Sequence, residues 1–356
     1  MKRTAILFSL LTISWVTLGQ ITTPYTASPL AEVSQTIGIS TVTINYSRPA
    51  VRDRDVWGTL VPFGYNVESF GAGNEAPWRA GANENTTITL SHTAEVGGVS
   101  VPAGTYGFFI AVFEDNTAEI ILNKDHQSWG NYWYNPDQDV VRAKIKSVDH
   151  PHTERLTYNF VDIDRTSANL TLDWEKKRFP VAISFDVDAI VMDNAREELK
   201  GTTGFSWQGY YTAAQYAAQN ECNLEEALGW ANIAASQNPA FNTLNVKSDI
   251  LSQLGKKEEA KTTKKQAFEV ANENQLNQYG YQLLTAGNVD EAIRIFKMNT
   301  TKNPKSANAW DSLGEAYYTQ GNKNEAKKHF QKALSLDPPA NVKANSEKHL
   351  DLIKQG

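Results

Sequence analysis

The chain has 356 residues, 41% of them hydrophobic and 21% charged. That balance describes folded material and excludes a disordered tail, and the length suits two domains better than one core. The formal charge of −6 is uneven: the first 200 residues hold 17 Lys and Arg against 24 Asp and Glu, and the remainder holds 17 against 16. An acidic first half argues against a nucleic-acid partner, which would need a basic face.

Lys2 and Arg3 precede a mostly apolar run over residues 5–18, and Thr17-Leu18-Gly19 offers a cut before Gln20. The run is short and is interrupted by Ser9, Thr12, Ser14 and Thr17. It therefore reads as a signal peptide over residues 1–19 rather than a membrane span. No cysteine sits near the cut, so lipid attachment is not expected there. The expected destination is the periplasm or the outside of the cell. No later apolar run is long enough to span a membrane. Cys222 is the single cysteine, so no intramolecular disulfide can form, and its Ala-rich surroundings predict a core position.

Residues 20–191 read as a β-rich domain. Residues 41–46 alternate and stop before Pro49, residues 86–90 alternate again, and Gly97-Gly98 marks a hairpin. Further strands are expected over residues 106–113, 118–122, 140–148, 155–163, 168–174 and 181–187. Turn residues recur about every ten positions, as in an antiparallel all-β sandwich or barrel-like domain. No alternation of strands and helices appears, which excludes a dinucleotide-binding or β/α-barrel architecture. A linker with a short helix over 192–200 is expected at residues 192–206, with the hinge at Gly201-Thr202-Thr203-Gly204.

From residue 207 to 356 the spacing becomes helical and repeats. Trp310, Leu313, Gly314 and Tyr317 mark one helix, Gly321 a turn, and Ala326, Phe330 and Ala333 a second helix ended by Pro338. Leu276, Tyr279, Gly280, Leu283, Gly287, Ala292, Phe296 and Pro304 repeat the pattern 34 residues earlier. Weaker units carry Leu244, Leu251, Gly255, Ala260 and Ala267, and before them Tyr211, Ala214, Ala218, Ala227, Ala234 and Pro239. These residues resemble the tetratricopeptide repeat, an all-α solenoid whose stacked helix pairs bury what one pair leaves exposed. Residues 341–354 are expected to close the stack, with Leu350 and Ile353 turned inward.

The resemblance implies a concave face for a protein or peptide partner. In this register it presents Asn242, Asn245 and Asp249, then Asn274, Asn277 and Tyr281, then Asn308, Asp311, Glu315 and Tyr318. Asn amides donate to and accept from peptide backbone, and Tyr adds rigid contact area. Lys and Arg are missing from these positions, which argues against a clamp for a terminal carboxylate.

Five blocks carry a second resemblance. They are Gln35-Thr36-Ile37-Gly38 leading to Tyr46-Ser47-Arg48-Pro49; Arg54-Asp55-Val56-Trp57-Gly58 with Leu60-Val61-Pro62; and Trp78-Arg79-Ala80-Gly81-Ala82-Asn83-Glu84-Asn85. Pro102-Ala103-Gly104-Thr105-Tyr106, and Ile121-Leu122-Asn123-Lys124 with Trp129-Gly130, complete the set. Residues 28–187 so resemble DUF2911, a family of exported proteins common in Bacteroidetes and defined as a domain of unknown function. The Gly-rich stretch 63–77 is longer than the family pattern suggests.

The resemblance implies no activity. The residues leave two readings open for Arg48, Arg54, Arg79, Asn83, Glu84 and Lys124: one shared site, or a network of buried ion pairs and caps that holds loops. A catalytic reading would use Arg79, Asn83 and Glu84, with His126 as acid or base. Trp129, Tyr132, Trp133 and Tyr134 would either stack on a sugar or peptide or cover one end of the domain. Asp137 and Asp139 are too few carboxylates to define a metal site. No metal set, cofactor fingerprint or catalytic motif is recognised. The expectation is therefore a non-enzymatic envelope scaffold, with a hydrolase, or a small-ligand or carbohydrate-binding activity of the β domain, as the alternative.

Overall fold

The computed structural model describes residues 27–355, and the expected leader lies outside them. The chain divides into two compact units, one up to Ile190 and one from Val191. Among the described residues no helix is long and apolar enough to cross a membrane.

The first unit is built from β1 (Leu30–Ile37), β2 (Ser40–Ser47), β3 (Asn66–Val67), β4 (Glu75–Ala76), β5 (Thr87–Leu90), β6 (Ala94–Val96), β7 (Val99–Val101), β8 (Gly104–Val112), β9 (Thr117–Asn123), β10 (Asp139–Lys146), β11 (Val148–Val161) and β12 (Ser167–Ser184). Six strands form an antiparallel sheet in the order β1-β2-β5-β8-β9-β10, and four form a second in the order β11-β12-β6-β7. Alternation decides which side chains turn inward. Val42, Ile44 and Tyr46 are buried on β2, while the residues between them are partly exposed. Tyr158 of the second sheet meets Tyr46 and Phe108 of the first edge-on, at 4.7 and 5.9 Å between ring centroids. The expected Gly97-Gly98 turn is present, with Val96 opposite Val99 and both glycines at positive φ.

One expectation about the strands changes. The separate strands at 168–174 and 181–187 are one strand of 18 residues, β12. The charged stretch Glu175-Lys176-Lys177-Arg178 looks like a turn, but Lys177 and Arg178 stay paired with Asp149 and Val148 of β11. The irregularity is centred on Glu175, at φ 54°, opposite Thr153, with the extra residues on β11. Strand β8 is buried on both faces. Phe109 and Ala111 on its outer side pack with Ile121, Ala76 and Tyr134, so the long stretch 63–77 and the aromatic loop roof that face.

Helix α1 (Val187–Glu198) begins five residues before the expected start at 192 and takes over the end of the last expected strand. The second unit then runs α2 (Trp207–Asn220), α3 (Leu224–Gln237), α4 (Phe241–Gln253), α5 (Lys257–Val270), α6 (Glu273–Thr285), α7 (Val289–Lys302), α8 (Ala307–Gln320), α9 (Lys323–Leu334) and α10 (Ala340–Gln355). Glycine spacing shows why the pairs pack closely. A Cβ on Gly280 would lie 2.6 Å from the Phe296 ring, and one on Gly314, 34 residues later, 2.8 Å from the Phe330 ring. Both rings are fully buried. Leu350 and Ile353 of α10 pack on the Phe330 cluster as expected.

Candidate functional site

The concave face has two different halves. Between α2, α4 and α6 lies a cavity of about 390 Å³. Eight of its fourteen lining residues are Asn or Gln, Asn242 and Asn245 among them. Asp249 is the one charged residue in the lining, and Lys264 from α5 donates to it and to Asn245, at 2.6 Å each. The lining is thus rich in carboxamides and nearly neutral. A second cleft shares Gln278 and Gln282 with the first and adds Asn277 and Tyr281, so the open face continues along α6. The Asn277 Oδ1 atom is buried without a hydrogen-bond partner. Asn274 is exposed on α6.

Beyond α6 the face is closed. Asp311, expected to be open to a partner, is instead buried beneath α10. It accepts from Asn345 Nδ2 at 2.8 Å and from the Ser346 hydroxyl. Glu315 accepts from Asn345 at 2.6 Å and from the Tyr281 hydroxyl. Tyr318 meets His349 edge-on at 5.1 Å, and Asn308 is partly buried on α8. Helix α10 occupies the place of the next repeat's first helix. Asn345 stands 34 residues after Asp311, and His349 stands 34 after Glu315. Burial raises the Asp311 carboxyl above its ordinary range, although both donors oppose that shift.

In the first unit the Trp-Arg block forms a strained loop. Ala80 and Asn83 have φ of 50° and 61°. The Ala80 carbonyl accepts from the Tyr158 hydroxyl at 2.9 Å and from Thr86 at 3.2 Å, so the core holds the loop in place. Arg79 donates to the Asn83 carbonyl at 3.0 Å, and its guanidinium lies 5.4 Å from the Tyr132 ring centroid. Arg79 and Asn83 line a cavity of about 500 Å³. Glu84 and His126 do not. Glu84 is exposed and accepts from the Ser47 hydroxyl at 3.2 Å. Beside His126, Asp125 accepts from the backbone N–H groups of Gln127 and Ser128, at 3.2 Å each. The four catalytic candidates are therefore not brought together.

The aromatic loop is also divided. Trp129 and Trp133 are about half exposed. Tyr132 lies against Arg79 and meets Phe70 edge-on at 6.0 Å. Tyr134, expected among the ligand-facing rings, is buried instead, and its hydroxyl donates to Asp139 at 2.6 Å. Asp139 also accepts from Arg142 at 2.8 Å and from Asn123 at 2.7 Å, so it is committed within the fold. Burial, followed by the bond to Asp139, drives the Tyr134 hydroxyl far above its ordinary pKa.

The sequence model of the family described as "Protein of unknown function (DUF2911)" matches residues 28–183. Tetratricopeptide models match residues 241–274, covering α4 and α5, and residues 307–340, covering α8 and α9. The chain thus carries a DUF2911 region followed by tetratricopeptide repeats. The repeats mark a protein-interaction scaffold. Superkiller complex protein 3 of Mus musculus is 39% identical over 59 residues, which is 17% of this chain. The chain thus spans 4% of the length of that relative, and the same holds for the Homo sapiens protein. Among solved structures, YrrB, titled a TPR protein with an unusual peptide-binding site, is 20% identical with a TM-score of 0.27. That match covers 44% of this chain and 81% of YrrB. MamA from Desulfovibrio magneticus RS-1 is 19% identical with a TM-score of 0.25, covering 44% and 95%.

In the DUF2911 domain, reasoning from the residues missed Arg52, Glu68, Asn131 and Trp174, which share the cavity with Arg79. One signal was available: Arg48, Arg52 and Arg54 fall within seven residues of an otherwise acidic domain. Among the described residues none of Arg48, Arg54 and Arg79 forms an ion pair; each donates to backbone carbonyls. Of the network reading, the caps are present and the ion pairs are not. In the repeats, nothing local to Asp311 signals that a helix 34 residues on will cover it.

Proposed function

We propose that this is an exported cell-envelope protein whose repeats hold an extended segment of a partner protein along the amide-lined half of the concave face. The supporting observation is the lining itself, eight carboxamides with one charged residue whose charge Lys264 offsets. An extended peptide presents N–H and C=O groups in alternation, and a carboxamide answers either one. Such a lining reads main chain more than side chains and tolerates varied sequences. The cation beside it, Lys264, is paired with Asp249 and not free for a terminal carboxylate, so the segment would lie mid-chain. Helix α10 limits the segment to the span from α2 to α6. Export rests on the basic and apolar pattern of residues 1–19.

The test is site-directed photo-crosslinking in native cells. A photoreactive residue replaces Asn242 or Gln278 in the groove, or Lys265 on the exposed side of α5. Adducts to a common partner segment from the two groove positions, and none from Lys265, are expected. Adducts from Lys265 alone would refute the groove. Recovery of the uncleaved chain from the cytoplasm would refute export.

A further inference from the structure

We infer that the DUF2911 domain binds a small anionic ligand, a carboxylate or phosphate on a flat apolar body, in the cavity lined by Arg52, Arg54, Arg79, Trp78, Trp174 and Asn131. The cavity, about 500 Å³, is of the size that encloses a small molecule.

Charge is the first argument. Residues 27–190 hold 13 Lys and Arg against 21 Asp and Glu, yet three arginines converge on this cavity. Among the described residues none of the three guanidinium groups forms an ion pair; the Glu154 carboxylate accepts from the Arg52 backbone N–H at 3.1 Å. Arg54 donates to the carbonyls of Val51 at 2.9 Å and Ala50 at 2.5 Å, and Arg79 to that of Asn83. The Arg52 side chain makes no hydrogen bond to a described residue. Glu68 is the single carboxylate in the lining, and Asn131 Nδ2 donates to it at 2.6 Å. Carbonyls orient a guanidinium without neutralising it, and a guanidinium does not shed its proton. The cavity therefore keeps a net positive charge in an acidic domain. An oxyanion offers the planar, two-pronged acceptor that arginine matches.

Preorganisation is the second argument. Arg79 lies between the Tyr132 ring and the backbone of Gly130. Gly130 has φ +61°, and a Cβ there would lie 2.7 Å from Arg79 Nη1. Glycine is thus needed both for the turn and for the arginine's seat. A cation held in place before binding loses little freedom on binding.

The third argument concerns the rest of the ligand. Trp78, partly exposed and stacked at 5.8 Å on the buried Trp174, joins the exposed Leu60 in the lining, an apolar surface suited to a flat body. Two lining residues also carry buried polar atoms without a hydrogen-bond partner, the acceptor Asn131 Oδ1 and the donor Trp174 Nε1. Native folds rarely leave such groups unused; an oxyanion would satisfy the Trp174 donor, whereas Asn131 Oδ1 needs a donor elsewhere on the ligand.

The test titrates the full mature chain with phenyl phosphate, benzoate and neutral benzyl alcohol, read by calorimetry and tryptophan fluorescence. Saturable binding of at least one anion is expected, at least tenfold tighter than the alcohol and weakened by salt. The tighter of the two anions tells phosphate from carboxylate. Arg79→Gln should reduce binding at least tenfold. Arg52→Ala, which breaks no internal hydrogen bond, should reduce it several-fold with an unchanged melting temperature, so a poorly folding Arg79 variant would not blunt the test. Saturation by neither anion below about 10 mM, equal binding of the alcohol, or binding indifferent to Arg52→Ala and Arg79→Gln would each overturn the assignment.

Discussion

On the concave face of the repeats, charged side chains beyond α6 find partners one repeat away; around the cavity of the DUF2911 domain, Arg54 and Arg79 find only backbone acceptors. Asn345 and Tyr281 answer Glu315, and Asn345 and Ser346 answer Asp311. A repeat places equivalent positions opposite one another, so a donor in one unit can meet an acceptor in the next. The β domain brings residues together from distant loops, and Arg54, Arg79 and Asn131 meet without a carboxylate for each cation. Internal satisfaction marks where the repeats are finished. The lack of it marks where the β domain awaits something else.

The largest expected effect comes from breaking the repeat packing. Phe330→Ala removes a fully buried ring seated on Gly314 and should cost about 3–5 kcal/mol. Hydrogen exchange should show α8, α9 and α10 opening first, with the β domain unaffected. Exchange that rises equally in both units would mean that they unfold as one.

Removing the buried carboxylate comes next. Asp311→Ala leaves Asn345 and Ser346 without their acceptor and should cost about 1–3 kcal/mol. Faster amide exchange in α10, with α4 unchanged, would place the loss at the closed end of the face. No change in α10 would show that the apolar contacts of Leu350 and Ile353 hold it alone.

A smaller gain is expected from Glu221→Gly. The turns after α2, α4, α6 and α8 place Glu221, Gly255, Gly287 and Gly321 at positive φ, and only the first uses a residue with a side chain. Relieving it should add about 1 kcal/mol by chemical denaturation. Lost stability would mean that the Glu221 side chain contributes more than its backbone costs.

The subtlest comparison is with pH. His329 stacks between Trp310 and Tyr317, at 5.5 and 5.3 Å between centroids, and burial lowers its pKa despite the nearby Glu325. The unfolded chain then binds this proton more readily than the folded one. Stability from this group is full above the ordinary histidine pKa of about 6.5 and falls as pH drops from there through the lowered folded value. His329→Phe should flatten the dependence of the unfolding midpoint between about pH 7 and 5. An unchanged slope would assign it to other groups.

Much of the fold was legible because its patterns are local. The 34-residue spacing of Gly280 and Gly314 reports helix pairs too close for a side chain, and Gly97-Gly98 reports a two-residue hairpin. The aromatic loop was less legible. Trp129, Tyr132, Trp133 and Tyr134 look alike in sequence, and only the roof over β8 separates the buried Tyr134 from the exposed tryptophans. Arg52 was passed over because nothing in its neighbourhood shows that Arg79 and Asn131, remote in sequence, lie across the same cavity.

By itself the sequence determined two kinds of periodicity, period two before residue 190 and helical after it, together with the residues that end each element. Those follow from steric preferences within a few residues. Only the tertiary structure decided which polar side chains are satisfied. That depends on what the chain brings back from far away: an Asn345 for Asp311, and for Arg54 and Arg79 only carbonyls.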